Sequence, residues 1–225
     1  MEKNQNQYCR EGLAAHMLLY AVTDRTWLGD KTLYEQVEAA IRGGVTMIQL
    51  REKHMDREAF KKEAIEIRDL CARYQVPFLL NDDVELAKEI GADGVHVGQN
   101  DMDAGMARKI LGPDKIIGVS ARTVEQALDA QALGADYLGS GAVFHTGTKS
   151  DARAMSHETL EAICRAVSIP VVAIGGITGE NVTALKGSGI SGIAVVSAVF
   201  GAKDPARAAR NLREKLRDIV TGDLG

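Results

Sequence analysis

The chain has 225 residues, 45% hydrophobic, 26% charged and 4% aromatic, a globular balance whose length buries roughly 70% or more of the unfolded surface. A net charge of -4, from 27 Lys and Arg against 31 Asp and Glu, with no basic stripe, argues against a general nucleic-acid binder. Cys9, Cys71 and Cys164 are odd in number and widely spaced, which excludes a disulfide framework and suits a reduced, cytoplasmic setting.

The apolar run 17–22 falls far short of the ~20 residues of a membrane span, and no small-residue cleavage site follows it, so neither membrane anchoring nor secretion is expected. Residues 1–16 read as a polar N-terminal arm, frayed or laid over the bottom of the main domain. Residues 17–225 read as one catalytic domain without linker or low-complexity segment. Within it, short β-rich runs at 18–23, 45–50, 78–81, 94–97, 116–120, 137–143, 171–174 and 193–197 alternate with amphipathic stretches. Leu33, Val37, Ala40 and Ile41 fall at helical spacing, as do Phe60, Ala64, Ile67 and Leu70, and a helix is predicted over 84–90. Strands separated by such helices imply a parallel sheet. Eight strands with eight intervening or following helices predict an α/β protein, a single (β/α)8 TIM barrel. A weak repeat agrees: Gly91-Ala92-Asp93 precedes the fourth run and Gly134-Ala135-Asp136 the sixth, with Gly43-Gly44 and Gly189-Ile190-Ser191 in equivalent places.

The polar residues gather just after the strands, where a barrel enzyme presents its active site. In Gln49-Leu50-Arg51-Glu52-Lys53, a solvated loop is the plain alternative. Arg51 and Lys53 nevertheless alternate with the strand period and project to one side, while Glu52 points away toward an ion pair. A planar guanidinium beside a compact ammonium suits a diphosphate. In Asn81-Asp82-Asp83, Asp83 is read as a helix N-cap. Asp82 and Asp101 end adjacent strands, about 5 Å apart. Carboxylates without clustered Cys or His favour a hard cation, Mg2+ bridging substrate phosphate oxygens. His96 is the rival ligand, but it lies inside its strand and reads as a packed, hydrogen-bonded barrel residue. Thr146-Gly147-Thr148-Lys149 offers hydroxyls, backbone N–H groups and a cation. Gly175-Gly176 after the seventh strand, matched by Val196-Ser197 at the eighth, occupies the customary phosphate position of such barrels. The loop 144–155 is the expected lid. No Ser-His-Asp or Cys-His arrangement indicates a covalent nucleophile.

With Leu19-Tyr20, Thr23-Asp24-Arg25, the segment 94–99, Gly118-Val119-Ser120, the segment 173–177 and Ala194-Val195, these motifs form an ordered set over nearly the whole chain. That set resembles the thiamine-phosphate synthase family. The resemblance implies condensation of 4-amino-2-methyl-5-hydroxymethylpyrimidine diphosphate with thiazole phosphate, giving thiamine phosphate and pyrophosphate by dissociative substitution. It further implies that Gln49, Leu50, Arg51, Glu52, Lys53, Asn81, Ser120 and Lys149 hold the pyrimidine diphosphate, with Arg51, Lys53, Lys149 and Ser120 catalytic. Asp82 and Asp101 would bind Mg2+, and Thr146, Gly147, Thr148, Gly176, Val196 and Ser197 the thiazole phosphate. Partners would be these small molecules, with neither nucleic acid nor membrane, and homo-oligomerisation stays open. Arg122 stands where the family usually has His, and Ala142 and His145 replace residues that are usually Pro. A thiazole tautomerase of the same fold, a phosphate-sugar barrel isomerase and a non-catalytic precursor-sensing barrel are the alternatives. The tautomerase lacks the paired carboxylates, and its catalytic His would fall at Arg122.

Overall fold

A computed structural model describes residues 12–52, 55–145 and 154–220. The β-rich runs become eight parallel strands: β1 Leu19–Val22, β2 Met47–Leu50, β3 Phe78–Asn81, β4 Gly94–Val97, β5 Ile116–Ala121, β6 Tyr137–Gly141, β7 Val171–Ile174 and β8 Gly192–Val195. Each pairs with its sequence neighbour, and β8 closes on β1 through Tyr20 opposite Ala194, so the sheet is a closed barrel. Helices follow the strands in order: α2 Leu33–Arg42, α3 Arg57–Tyr74, α4 Val84–Ile90, α5 Ala104–Leu111, α6 Val124–Ala132 and α7 His157–Ala166. Beyond β8 come the short α8 Ser197–Phe200 and the long α9 Pro205–Val220, and a one-turn α1 Leu13–His16 precedes β1. The chain is a (β/α)8 TIM barrel. Among the described residues no helix is long and apolar enough to cross a membrane.

Local chemistry explains these boundaries. Helices α2 to α7 each open on a side chain that accepts a first-turn N–H: Thr32, Asp56, Asp83, Asp103, Thr123 and Ser156. That satisfies donors the helix itself cannot reach. At Thr32 the exchange is reciprocal, with Glu35 Oε2 accepting from Thr32 N at 2.8 Å, a full capping box. Helix α3 runs beyond the apolar stripe that predicts it, because Asp56 caps a charged first turn and the left-handed Gln75 (φ 56°) ends it. One expected helix is absent. Between β7 and β8 only the 3-10 turn Val182–Leu185 forms, since its two buried residues at i and i+3 supply one turn of apolar face before Gly187-Ser188-Gly189 interrupts.

Two layers of apolar side chains result. The outer one fills the space between barrel and helices, with Ile48, Leu50, Ile67, Phe78 and Leu160 among its buried members. The inner one, including Leu13, Met17, Met47, Leu79 and Ile116, fills the barrel below the site. Because Met17 lies just ahead of β1, Leu13 and Met17 plug the N-terminal end.

At that same end lies the reason for the repeat. Gly91 (φ 70°) and Gly134 (φ 92°) take the left-handed conformation that ends the preceding segment. The Asp two residues later then reaches sideways: Asp93 Oδ2 accepts from Phe78 N at 2.9 Å and Asp136 Oδ2 from Ile117 N at 2.8 Å. Thr46 does the same for β1, its Oγ1 accepting from Leu19 N at 3.0 Å. Asp136 is buried and also takes Arg108 Nη2 at 2.5 Å. Asp136→Ala leaves the Ile117 N–H without this acceptor and removes the counter-charge of Arg108, whose guanidinium keeps the Gly112, Lys115 and Gly134 carbonyls. The expected cost is about 2–3 kcal/mol, read as a shift in denaturation midpoint at unchanged m-value.

Candidate active site

At the C-terminal end, alternate residues of all eight strands turn inward and enclose a cavity of about 230 Å³. Its wall includes Tyr20 and Val22 from β1, Gln49 and Arg51 at β2, and Asn81 and His96 from β3 and β4. Ser120 and Arg122 follow at β5, Gly139 and Gly141 in β6, Ile174 in β7, and Ala194 and Val196 at β8. The strand period explains the selection. Gln49 and Arg51 face in, whereas Leu50, 1% exposed, is turned into the outer apolar layer. The Leu50 side chain is therefore not part of the cavity wall.

Arg51 is held before any ligand arrives. Its N–H donates to Thr23 Oγ1 at 3.0 Å, and its guanidinium lies 3.5 Å from Asp24 Oδ2. Glu52 faces away and pairs with Arg25, whose Nη2 also reaches Glu63 Oε1 on α3 at 2.6 Å. Glu52 is therefore committed to fastening the two mouth loops together. Lys53 lies outside the described residues.

Asn81 is in the cavity wall, and its Nδ2 donates to Asp82 Oδ2 at 2.6 Å. Asp82 is exposed, has a left-handed backbone (φ 65°), and its N–H donates to the His96 carbonyl at 2.9 Å, tying the β3 exit to β4. Asp101 is exposed after β4, with Oδ2 accepting from Gly98 N at 2.8 Å. Both carboxylates thus occupy loops beside the wall formed by Asn81 and His96. Among the described residues no group of three or more His, Cys, Asp or Glu is assembled for a metal ion. Asp83 caps α4 through Leu86 N at 2.8 Å.

The opposite wall is built of backbone. Gly176 has φ 67°, and a Cβ there would lie 2.3 Å from the His145 carbonyl oxygen and 2.8 Å from that of Phe144. Only glycine lets the β6 and β7 loops come this close. Val196 and Ser197 face the same cavity at the start of α8, where first-turn N–H groups lack helical acceptors. Ala142 lines the cavity as well. Thr146, Gly147, Thr148 and Lys149, and most of the expected lid, lie outside the described residues.

A chain of hydrogen bonds crosses the floor. Gln49 Nε2 donates to Tyr20 Oη at 2.6 Å, and Tyr20 Oη lies 2.9 Å from Tyr137 Oη. Tyr137 Oη is 2.8 Å from His96 Nδ1, and His96 Nε2 is 2.9 Å from Ser120 Oγ. Burial pushes the Tyr20 and Tyr137 phenols well above their ordinary pKa, so both stay protonated. Tyr137 has no place among the sequence motifs, whereas His96 reads there as a packed, hydrogen-bonded barrel residue, and both its ring nitrogens do have partners. Their inward register on β6 and β4 was the available signal, since it repeats that of Gln49 and Ser120.

A sequence model of the family described as thiamine monophosphate synthase matches residues 19–199. A thiamine-phosphate synthase of Ruminiclostridium cellulolyticum is 54% identical over 196 residues, 87% of this chain and 93% of that protein. One from Clostridium acetobutylicum is 47% identical over 200 residues, covering 88% and 95%. The solved thiamine phosphate pyrophosphorylase of Pyrococcus furiosus superposes with a TM-score of 0.85 at 40% identity, over 95% of this chain and all of that one (100%). A shared barrel, a shared length and this level of identity lead to one conclusion: the chain belongs to the thiamine-phosphate synthase family of transferases.

Proposed function

We propose that the cavity condenses 4-amino-2-methyl-5-hydroxymethylpyrimidine diphosphate with thiazole phosphate, releasing pyrophosphate. One observation carries the reading: a single cavity with a cation-and-amide wall (Gln49, Arg51, Asn81, Ser120) facing a backbone wall (Gly176, Val196, Ser197). The first wall suits a diphosphate, the second a monophosphate held by N–H groups. Between them Tyr20, Val22, Ile174 and Ala194 supply an apolar slot for two rings. With Nε2 given to Tyr20, the Gln49 carbonyl can accept from an exocyclic amine.

Asp82 and Asp101 fit a divalent ion of the Mg2+ type. They are hard oxygen donors, too few for an all-protein cage, and Mg2+ is commonly held by one or two carboxylates with waters and substrate phosphates. When bound, the ion would offset negative charge on the diphosphate. The bond from the pyrimidine methylene to the diphosphate oxygen breaks, both electrons leave with the oxygen, and the aminopyrimidine delocalises the cation. The thiazole nitrogen then forms the new bond to that carbon. Arg51 stabilises the growing charge on the leaving group; Lys53 and Lys149 are assigned to the same group by the resemblance. The facing walls hold the reactants together, which supplies much of the rate. No step requires a protein base.

The test is pyrophosphate release with both substrates, with and without Mg2+. Release only when all three are present supports the proposal; turnover of a thiazole substrate alone would favour the tautomerase. Gly176→Ala should raise KM for thiazole phosphate about tenfold or more, some 1.4 kcal/mol. KM for the pyrimidine diphosphate should not change, because the Phe144 and His145 carbonyls that must give way lie on the other wall.

A further inference from the structure

The hydrogen-bond chain across the floor has a direction. Gln49 Nε2 is a donor, so it fills an acceptor position on Tyr20 Oη. If Tyr20 passes its own proton to Tyr137 Oη, 2.9 Å away, the Tyr137 proton is left for His96 Nδ1, 2.8 Å away. A ring nitrogen that accepts carries no hydrogen, which leaves the neutral ring's proton on Nε2, aimed at Ser120 Oγ. Ser120 accepts that bond and keeps its own hydroxyl proton for the cavity it lines.

We propose that Tyr20 and Tyr137 are positioning residues that fix His96 in its Nε2-protonated neutral tautomer, so that Ser120 donates its hydroxyl hydrogen to an anionic oxygen of the leaving diphosphate. In the opposite tautomer Ser120 would have to donate to His96 and would present only lone pairs to an anion. The difference is one hydrogen bond gained or one repulsive contact suffered at the leaving group.

Packing makes the chain rigid. A Cβ on Gly118 would sit 2.1 Å from Tyr137 Cζ, and one on Gly139 would sit 3.0 Å from His96 Cε1. The Tyr137 ring therefore lies directly on the backbone of the neighbouring β5, and the His96 ring reaches past β5 to the backbone of β6. The Tyr20 and Tyr137 rings meet edge to face at 6.0 Å, and those of Tyr137 and His96 lie 5.5 Å apart. Gln99 Nε2 fixes the backbone beneath the hydroxyl by donating to Ser120 O at 2.6 Å. The five participants come from β2, β1, β6, β4 and β5, so folding of the whole barrel sets the tautomer.

The ligand for Ser120 rests on the function proposed above; the tautomer does not. It is read on the ligand-free protein by 15N NMR of labelled histidine, with the His96 signals identified by their loss in His96→Gln. A proton-free Nδ1 with a protonated Nε2 is expected. A protonated Nδ1 overturns the proposal. In Tyr137→Phe the second tautomer should appear and kcat should fall about tenfold, roughly the worth of one lost hydrogen bond. Added to Ser120→Ala, the same change should cost nothing further in kcat. An unmoved tautomer, or a full additional loss in the double variant, would reduce Tyr137 to a packing residue.

Discussion

Arg51→Ala lowers kcat for pyrophosphate release by an expected 10²–10³-fold, as for loss of one preorganised electrostatic contact, while the protein folds normally. The magnitude reflects how the side chain is held. Thr23 takes its N–H and Asp24 faces its guanidinium, so no reorganisation is left for the moment when charge develops on the leaving group. Folding survives because the side chain lies at the cavity wall, apart from either apolar layer. Arg51→Lys should recover only part of the loss, since a point charge replaces a planar fork. Steady-state assays at saturating substrates measure both variants. Wild-type kcat in the alanine variant would remove Arg51 from the leaving-group site.

Asp82→Asn should produce a loss of about the same size, 10²–10³-fold in kcat, with an increased requirement for Mg2+. The substitution isolates charge. Asp82 sits at φ 65°, a conformation that asparagine tolerates as readily as aspartate and alanine does not. The Asn81 amide keeps an oxygen to donate to, and the exposed position leaves the apolar layers untouched. Melting should therefore match the parent protein, and a Mg2+ titration of activity gives the reading. An unchanged titration curve would return Asp82 to the simple task of fastening β3 to β4.

Much of the barrel was legible because its punctuation is local. Strands β3, β4 and β7 match their apolar runs residue for residue, each bounded by proline, glycine, aspartate or asparagine. The β7–β8 crossover misleads because it is long enough for a helix, although Val182 and Leu185 supply only one turn of apolar face. At the site, charged and hydroxyl residues after strands are conspicuous, and Gln49, Arg51, Asn81, Ser120, Gly176, Val196 and Ser197 do share one cavity. The floor was less legible for a physical reason. Tyr20 and Tyr137 are 117 positions apart, and nothing in the local pattern of either run pairs them. Only closure of the barrel turns two apolar rings into consecutive links of a polar chain.

Ring closure also carries a cost during synthesis. The partner of β1 on its outer side is β8, and α9 lies over α2, so the first strand keeps an unpaired edge until nearly the last helix has left the ribosome. An exposed parallel edge is a template for association with other chains. The nascent polypeptide is thus most vulnerable to aggregation late in translation, and truncation before β8 would prolong that vulnerable state.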